Sequence, residues 1–193
     1  MRARAAPAWH NTTRIVIVQD PREHRKTTNT ARLVHLALVN SALVPAGGPC
    51  AAALGAGAPY LLFPGGAARP IEQLARATTE PIVLVVPDAS WRRARRLVGR
   101  TPDLRYPPCV HRPAGPASAF RLRRAPHPAH LSTFEAVGAR SGTSRARRSS
   151  WHSRRGSVFV DRTLWTRGDL HAADVAGGIP HAAFTFRGVR RPP

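Results

Sequence analysis

The sequence predicts an α/β fold: a mostly parallel sheet flanked by helices. Two observations carry that expectation. Short, unbroken β-branched runs recur, above all Arg14-Ile-Val-Ile-Val-Gln19 and Ile82-Val-Leu-Val-Val86, and such runs suit strands buried on both faces. Between the runs the apolar spacing is helical, and strands alternating with helices build parallel sheets.

The first strand, 14–19, is closed by Asp20 and Pro21. The basic stretch Arg22-Glu-His-Arg-Lys26 leads into Thr27 and Thr28, whose hydroxyls suit helix caps. Ala31, Leu33, Val34, Leu36 and Leu38 then make a mostly apolar helix. Residues 45–59, rich in Gly, Ala and Pro, read as a loop. Tyr60-Leu-Leu-Phe63 is the second strand, Pro64-Gly-Gly66 a turn and 71–77 a short helix. The third strand stops at Pro87, which has no N–H to donate, and 90–98 is the next helix. Further on, 119–122 is a strand and a helix starts near Ser132. Residues 138–157 are Gly, Ser and Arg-rich without apolar period and read as a flexible basic insertion. Hydrophobic rhythm returns at 158–165, and the tail from Gly177 is loop-like. With 193 residues and no internal repeat, a single domain is expected.

The formal net charge is +20 and Lys26 is the only lysine. A polyanionic partner is the direct physical reading, because each neutralised phosphate releases counterions. An arginine-heavy chain rich in Ala, Gly and Pro also fits a bias in the coding sequence. Cys50 and Cys109 are too few for a metal cluster and are expected to be reduced thiols. Nothing resembles a signal peptide or reaches the length of a membrane span, so a soluble cytoplasmic protein is expected.

In parallel sheets, ligands bind beyond the carboxyl ends of the strands. The loops 20–26, 64–66 and 87–91 answer that description. Asp88, between a buried strand and a helix, reads either as a helix cap or as a carboxylate that accepts a proton or holds a cationic ligand. Trp91 is core packing or an aromatic pocket wall. Arg92 and Arg96 share a helix face, as do Arg93 and Arg96; these arginines are solvated charge or phosphate contacts. Arg22, His24, Arg25 and Lys26 form a second basic cluster. Ser132-x-x-Glu135 has the spacing of a capping box. There is no phosphate loop, dinucleotide fingerprint or zinc spacing.

Taken together, Ile17-Val-Gln-Asp-Pro-Arg-Glu-His-Arg-Lys26, Leu61-Leu-Phe-Pro-Gly65, Val86-Pro-Asp-Ala-Ser-Trp-Arg92 and His130-Leu-Ser-Thr-Phe-Glu135 resemble the DTW-domain proteins, the tRNA-uridine aminocarboxypropyltransferases. The Asp-x-Thr-Trp motif stands here as Asp88-Ala-Ser-Trp91, with serine keeping the hydroxyl, and Ser-Thr-x-Glu is intact at 132–135. Residues 159–168 also resemble the family's C-terminal segment.

The resemblance implies one DTW domain over 1–193, with a SPOUT-like fold and a C-terminal knot around an S-adenosylmethionine pocket. It implies transfer of the 3-amino-3-carboxypropyl group to N3 of a uridine in tRNA, with Asp88 as the base. Leu62, Phe63, Pro64, Gly65, Pro87, Ser90, Trp91, Leu131, Ser132, Thr133 and Glu135 would hold S-adenosylmethionine. Arg22, His24, Arg25, Lys26, Arg92, Arg93 and Arg96 would grip the RNA. Many members begin with a cysteine-rich, zinc-binding segment; this chain has no cysteine ahead of its first strand, so no metal is expected. The alternatives are a SPOUT-type RNA methyltransferase and a non-catalytic basic RNA-binding protein.

Overall fold

A computed structural model describes residues 10–26, 29–112, 118, 127 and 130–138. The suggested caps Thr27 and Thr28, the expected strand at 119–122, the insertion beyond Gly138, the 158–165 segment and the expected knot lie outside the described residues. The chain divides into two compact units, Met1–Gly115 and Pro116–Pro193.

The first unit is a six-stranded sheet of order β2-β1-β5-β3-β6-β4, parallel at every pairing. Its elements run β1 (Arg14–Gln19), α1 (Ala31–Ala37), β2 (Ser41–Pro45), α2 (Cys50–Leu54), β3 (Ala58–Leu62), β4 (Arg69–Pro70), α3 (Ile71–Ala77), β5 (Ile82–Asp88), α4 (Trp91–Arg100), α5 (Pro102–Arg105) and β6 (Cys109–His111).

Several elements differ from the sequence reading: β2, β4, α5 and β6 were not expected, and α4 runs on to Arg100, two residues past the expected end. The stretch 45–59 is not simply a loop: β2 runs into it and α2 forms within it. The second strand starts two residues early, at Ala58, and ends at Leu62. The third strand does not stop at Pro87 but runs on through Asp88, in register with Val18 and Gln19 of β1. Asp88 C=O accepts from Asp20 N–H at 2.9 Å. Even-numbered residues of β5 therefore bond to β1, because alternate residues of a parallel strand face opposite neighbours. Pro87 turns its missing N–H toward β3, where pairing has already ended at Leu61–Val85, so no ladder bond is lost.

Side-chain alternation divides the core in two. Val16, Val18, Val44, Leu61, Val83 and Val85 face α2, α4 and α5, packing with Cys50, Leu97 and Leu104. The opposite parity, Ile15, Ile17 and Leu84, is equally buried. Right-handed crossovers place α1 and α3 on that second face. Gln19 and Asp88 continue its rows and are buried there too, 4% and 6% exposed.

The connections set up the site. From β1 the chain moves outward to β2, whereas from β5 it moves the other way, past β3 to β6. The segments leaving these two adjacent strands therefore diverge to opposite faces, and this switch point at their carboxyl ends is the crevice position where an open α/β sheet usually takes a ligand.

In the second unit, α6 (Thr133–Gly138) is entered through Ser132. Ser132 N–H donates to Glu135 Oε2 at 2.8 Å, and Glu135 N–H donates to Ser132 Oγ at 3.2 Å. This is the reciprocal capping box that the spacing predicts. The Ser118 hydroxyl donates to the same Glu135 oxygen at 2.7 Å.

Candidate functional site

Residues 20–26 and 29–30 follow β1 at this switch point. Three successive turns shape them: Glu23 N–H donates to Asp20 C=O at 2.8 Å, Lys26 N–H to Glu23 C=O at 3.1 Å, and Asn29 N–H to Lys26 C=O at 3.1 Å. Arg22 N–H also donates to Asp20 Oδ1 at 2.8 Å. These bonds meet the backbone N–H groups of Arg22, Glu23, Lys26 and Asn29 without regular secondary structure.

Asp88 is the centre of this arrangement. It is not the cap of the following helix; that position belongs to Ser90, whose carbonyl accepts from Arg93 and Ala94. The Asp88 side chain points instead into the second face of the sheet, where Oδ2 accepts from Gln19 Nε2 at 3.0 Å and from Asn29 Nδ2 at 2.9 Å. Burying a carboxylate is costly unless donors replace its water, and two side-chain amides do so here. Asn29 also donates to Glu23 C=O at 3.0 Å and accepts from Ala31 N–H at 2.8 Å. One carboxamide thus ties the loop, the start of α1 and Asp88 together. Thr30, the residue preceding α1, makes no side-chain cap bond; Asn29 supplies that acceptor from one position earlier.

The basic cluster of this loop separates into two kinds of residue. Arg22, His24 and Arg25 are exposed. Lys26 is partly turned inward: Nζ lies 2.7 Å from Glu23 Oε1, and that carboxylate side chain is only 3% exposed. His24 Nδ1 lies 3.3 Å from Gln19 Oε1. Gln19, Glu23 and Asn29 escape a reading based on motif chemistry. Gln19 does leave a trace, as a polar residue on the inward parity of an otherwise apolar strand.

The remaining residues expected to hold ligand lie as follows. Leu62 is buried at the end of β3, and Phe63 packs against the core under α2, α4 and α5. Pro64 and Gly65 are exposed, and a Cβ added at Gly65 or Gly66 meets nothing within 4 Å. Pro87, Ser90 and Trp91 are half-buried. All of these belong to segments leaving the carboxyl ends of β3 and β5, the strands on which the expected loops were placed. Arg92 and Arg96 of α4 are exposed and Arg93 is half-buried. Leu131, Ser132, Thr133 and Glu135 are half-buried residues of the second unit. No group of three His, Cys, Asp or Glu side chains is placed to hold a metal among the described residues, and no helix among them is long and apolar enough to cross a membrane.

These features define an open α/β protein with a buried, amide-held carboxylate at its switch-point crevice. The chain matches the DTW domain model over residues 3–140 and belongs to the DTW-domain family; that membership is consistent with tRNA modification. The matched span contains Asp88 to Trp91 and Ser132 to Glu135 and ends before 159–168. No curated protein and no solved structure matches the chain.

Proposed function

We propose that this protein is a tRNA-uridine aminocarboxypropyltransferase that uses S-adenosylmethionine as co-substrate. The observation that carries the reading is the placement of the Asp88-Ala-Ser-Trp91 motif: its carboxylate is buried at the crevice, fixed by Gln19 and Asn29. The surroundings suit the co-substrate. Its sulfonium and ammonium groups are cations, for which a buried carboxylate is a natural partner, and Gly65 and Gly66, in the segment leaving the neighbouring strand β3, have open space where a Cβ would stand. When bound, S-adenosylmethionine supplies the aminocarboxypropyl carbon on an activated sulfonium, with methylthioadenosine as leaving group.

The chain's own residues then divide the work. Asp88 takes the N3 proton of the uridine, without which that nitrogen is not a competent nucleophile. Gln19 and Asn29 hold the carboxylate still, so that alignment decides which carbon is transferred. Trp91 walls the site, while Leu62 to Gly65, Pro87 and Ser90 hold the co-substrate. Arg22, Arg25, Arg92, Arg93 and Arg96 grip the RNA backbone, and the target uridine is unpaired or turned outward. Lys26, paired with Glu23, orders the loop as much as it meets RNA.

Incubation with tRNA and S-adenosylmethionine, followed by mass analysis of digested nucleosides, tests this. An added aminocarboxypropyl mass is expected; an added methyl mass instead would make the protein a methyltransferase. Absence of both, with no calorimetric binding of S-adenosylmethionine, would leave a non-catalytic RNA-binding protein. Asp88→Ala should abolish transfer while changing tRNA affinity by less than about twofold, the effect of a residue that meets the reacting atoms but no phosphate; retained turnover would remove Asp88 as the base.

A further inference from the structure

We infer that His24, in its neutral form, meets RNA as a hydrogen-bond acceptor through Nε2, because the network behind it dictates that Nδ1 carries the proton. The ligand half of this rests on the proposed function; the tautomer half does not.

The assignment starts from the backbone, where donor and acceptor are not in question. Ala31 N–H donates to one end of the Asn29 carboxamide at 2.8 Å, which makes that end the oxygen. The other end is therefore the amino group, and it donates to the Glu23 carbonyl at 3.0 Å and to Asp88 Oδ2 at 2.9 Å. Oδ2 is thus an acceptor, as a carboxylate oxygen must be. Gln19 approaches the same oxygen at 3.0 Å and has to present its own amino group. That turns Gln19 Oε1 toward His24, 3.3 Å from Nδ1. A bare lone pair on Nδ1 would face the lone pairs of Oε1, so Nδ1 carries the hydrogen. In the neutral ring the lone pair then sits on Nε2. Reversing the Asn29 or the Gln19 step would set two donors or two acceptors against each other at a part-buried or buried contact, where an unmet polar group is costly.

His24 itself is exposed on the loop that leaves β1 at the carboxyl edge. A ring with an Nε2 lone pair accepts from N–H or O–H and repels a phosphate oxygen. Its exposed neighbours Arg22 and Arg25 are the phosphate partners. The chemistry that His24 selects is a nucleoside donor: a ribose 2′-hydroxyl or the imino N–H of an unpaired base.

Two measurements on the full chain test the two halves. A long-range 1H–15N correlation spectrum shows the tautomer directly, with His24→Ala assigning the signals and the pH raised until they stop moving. The Nδ1–H pattern is expected, and Gln19→Met should release the ring from it. If that variant does not fold, the wild-type spectrum alone decides, and an Nε2–H ring overturns the inference. In the second measurement, tRNA affinity is followed against salt at that same pH, where the ring is neutral. His24→Ala should weaken binding about 2–10-fold, the range for one hydrogen bond, with an unchanged salt slope. Arg25→Ala should lower that slope by about 1. Unchanged affinity for His24→Ala, or a reduced slope, overturns the acceptor role. A 2′-deoxy oligonucleotide separates the sources: a preference for RNA that disappears in His24→Ala identifies the 2′-hydroxyl, and one that survives identifies a base N–H. If the wild-type chain binds no RNA, the proposed function and the ligand half fall together, while the spectrum still stands or falls by itself.

Discussion

The Asn29 side chain donates to Glu23 C=O and Asp88 Oδ2 while accepting from Ala31 N–H. Its removal leaves a buried carboxylate short of one donor and the first turn of α1 short of its acceptor. Asn29→Ala should therefore lower stability by about 1–3 kcal/mol, the range for orphaning buried polar partners. A shift of the urea midpoint with an unchanged slope would show it; a shift below about 0.5 kcal/mol, ordinary for a surface position, would mean that water replaces the amide. Cys50 behaves differently because it has no charged role. Burial, and secondarily the Asp103 carboxylate, push its thiol up. The folded state thus disfavours the thiolate. Stability that holds below the ordinary thiol value of about 8.5 should fall as pH rises through it, since only the unfolded chain ionises freely. Urea midpoints measured from neutral to alkaline pH should decline more steeply in the wild type than in Cys50→Ala; parallel curves would contradict the assignment. The same burial should make Cys50 slow to alkylate in the native protein and fast in urea.

At the scale of elements, close backbone packing sets a sharp requirement at the start of β3. A Cβ at Gly57 would lie 2.7 Å from Val83 Cγ2 and 2.8 Å from Pro81 O. Pro81 O also accepts from Ala58 N–H at 2.9 Å, so the backbone has little freedom to retreat. Gly57→Ala should destabilise by about 1–3 kcal/mol, as overpacking does, and a thermal midpoint equal to wild type would show that the β3–β5 pairing yields. The central strands β1 and β5 were legible because both their faces are buried and their residues form unbroken apolar runs. β2 was not: Ser41-Ala-Leu-Val-Pro45 is an edge strand with only Val44 fully buried, so its pattern is diluted. α2 was hidden by composition, since Gly and Pro around Cys50-Ala-Ala-Ala-Leu54 suggest a loop although alanine is the best helix former. The capping box could be read outright because it needs only residues three apart. The Gln19–Asp88 bond joins residues 69 apart; it exists because the register of two parallel strands brings them opposite, and no local pattern encodes that register. Asp88 could thus be singled out from its motif, whereas the residues that hold it could not.

For the molecule as a whole, the open question is whether a net charge of +20 acts as a diffuse field or as a placed surface. α4 offers a comparison within a single helix. Arg92, Arg96 and Arg100 are all exposed and recur every fourth residue, so they lie along one side. Because α4 leaves the carboxyl end of β5 and returns toward the amino end of β6, the row begins at the crevice edge and runs away from it. Eight residues of helix separate its ends by about 12 Å, more than a Debye length at physiological salt, about 8 Å. If tRNA docks at the crevice, Arg92→Ala should lower the slope of log affinity against log salt by about 1, and Arg100→Ala should leave it unchanged. Both variants remove the same charge from the same helix, so net charge, helix propensity and the global field are matched between them. Equal losses would mean that the arginines act through the field of the whole protein, and the crevice edge would lose its claim to be where RNA is held.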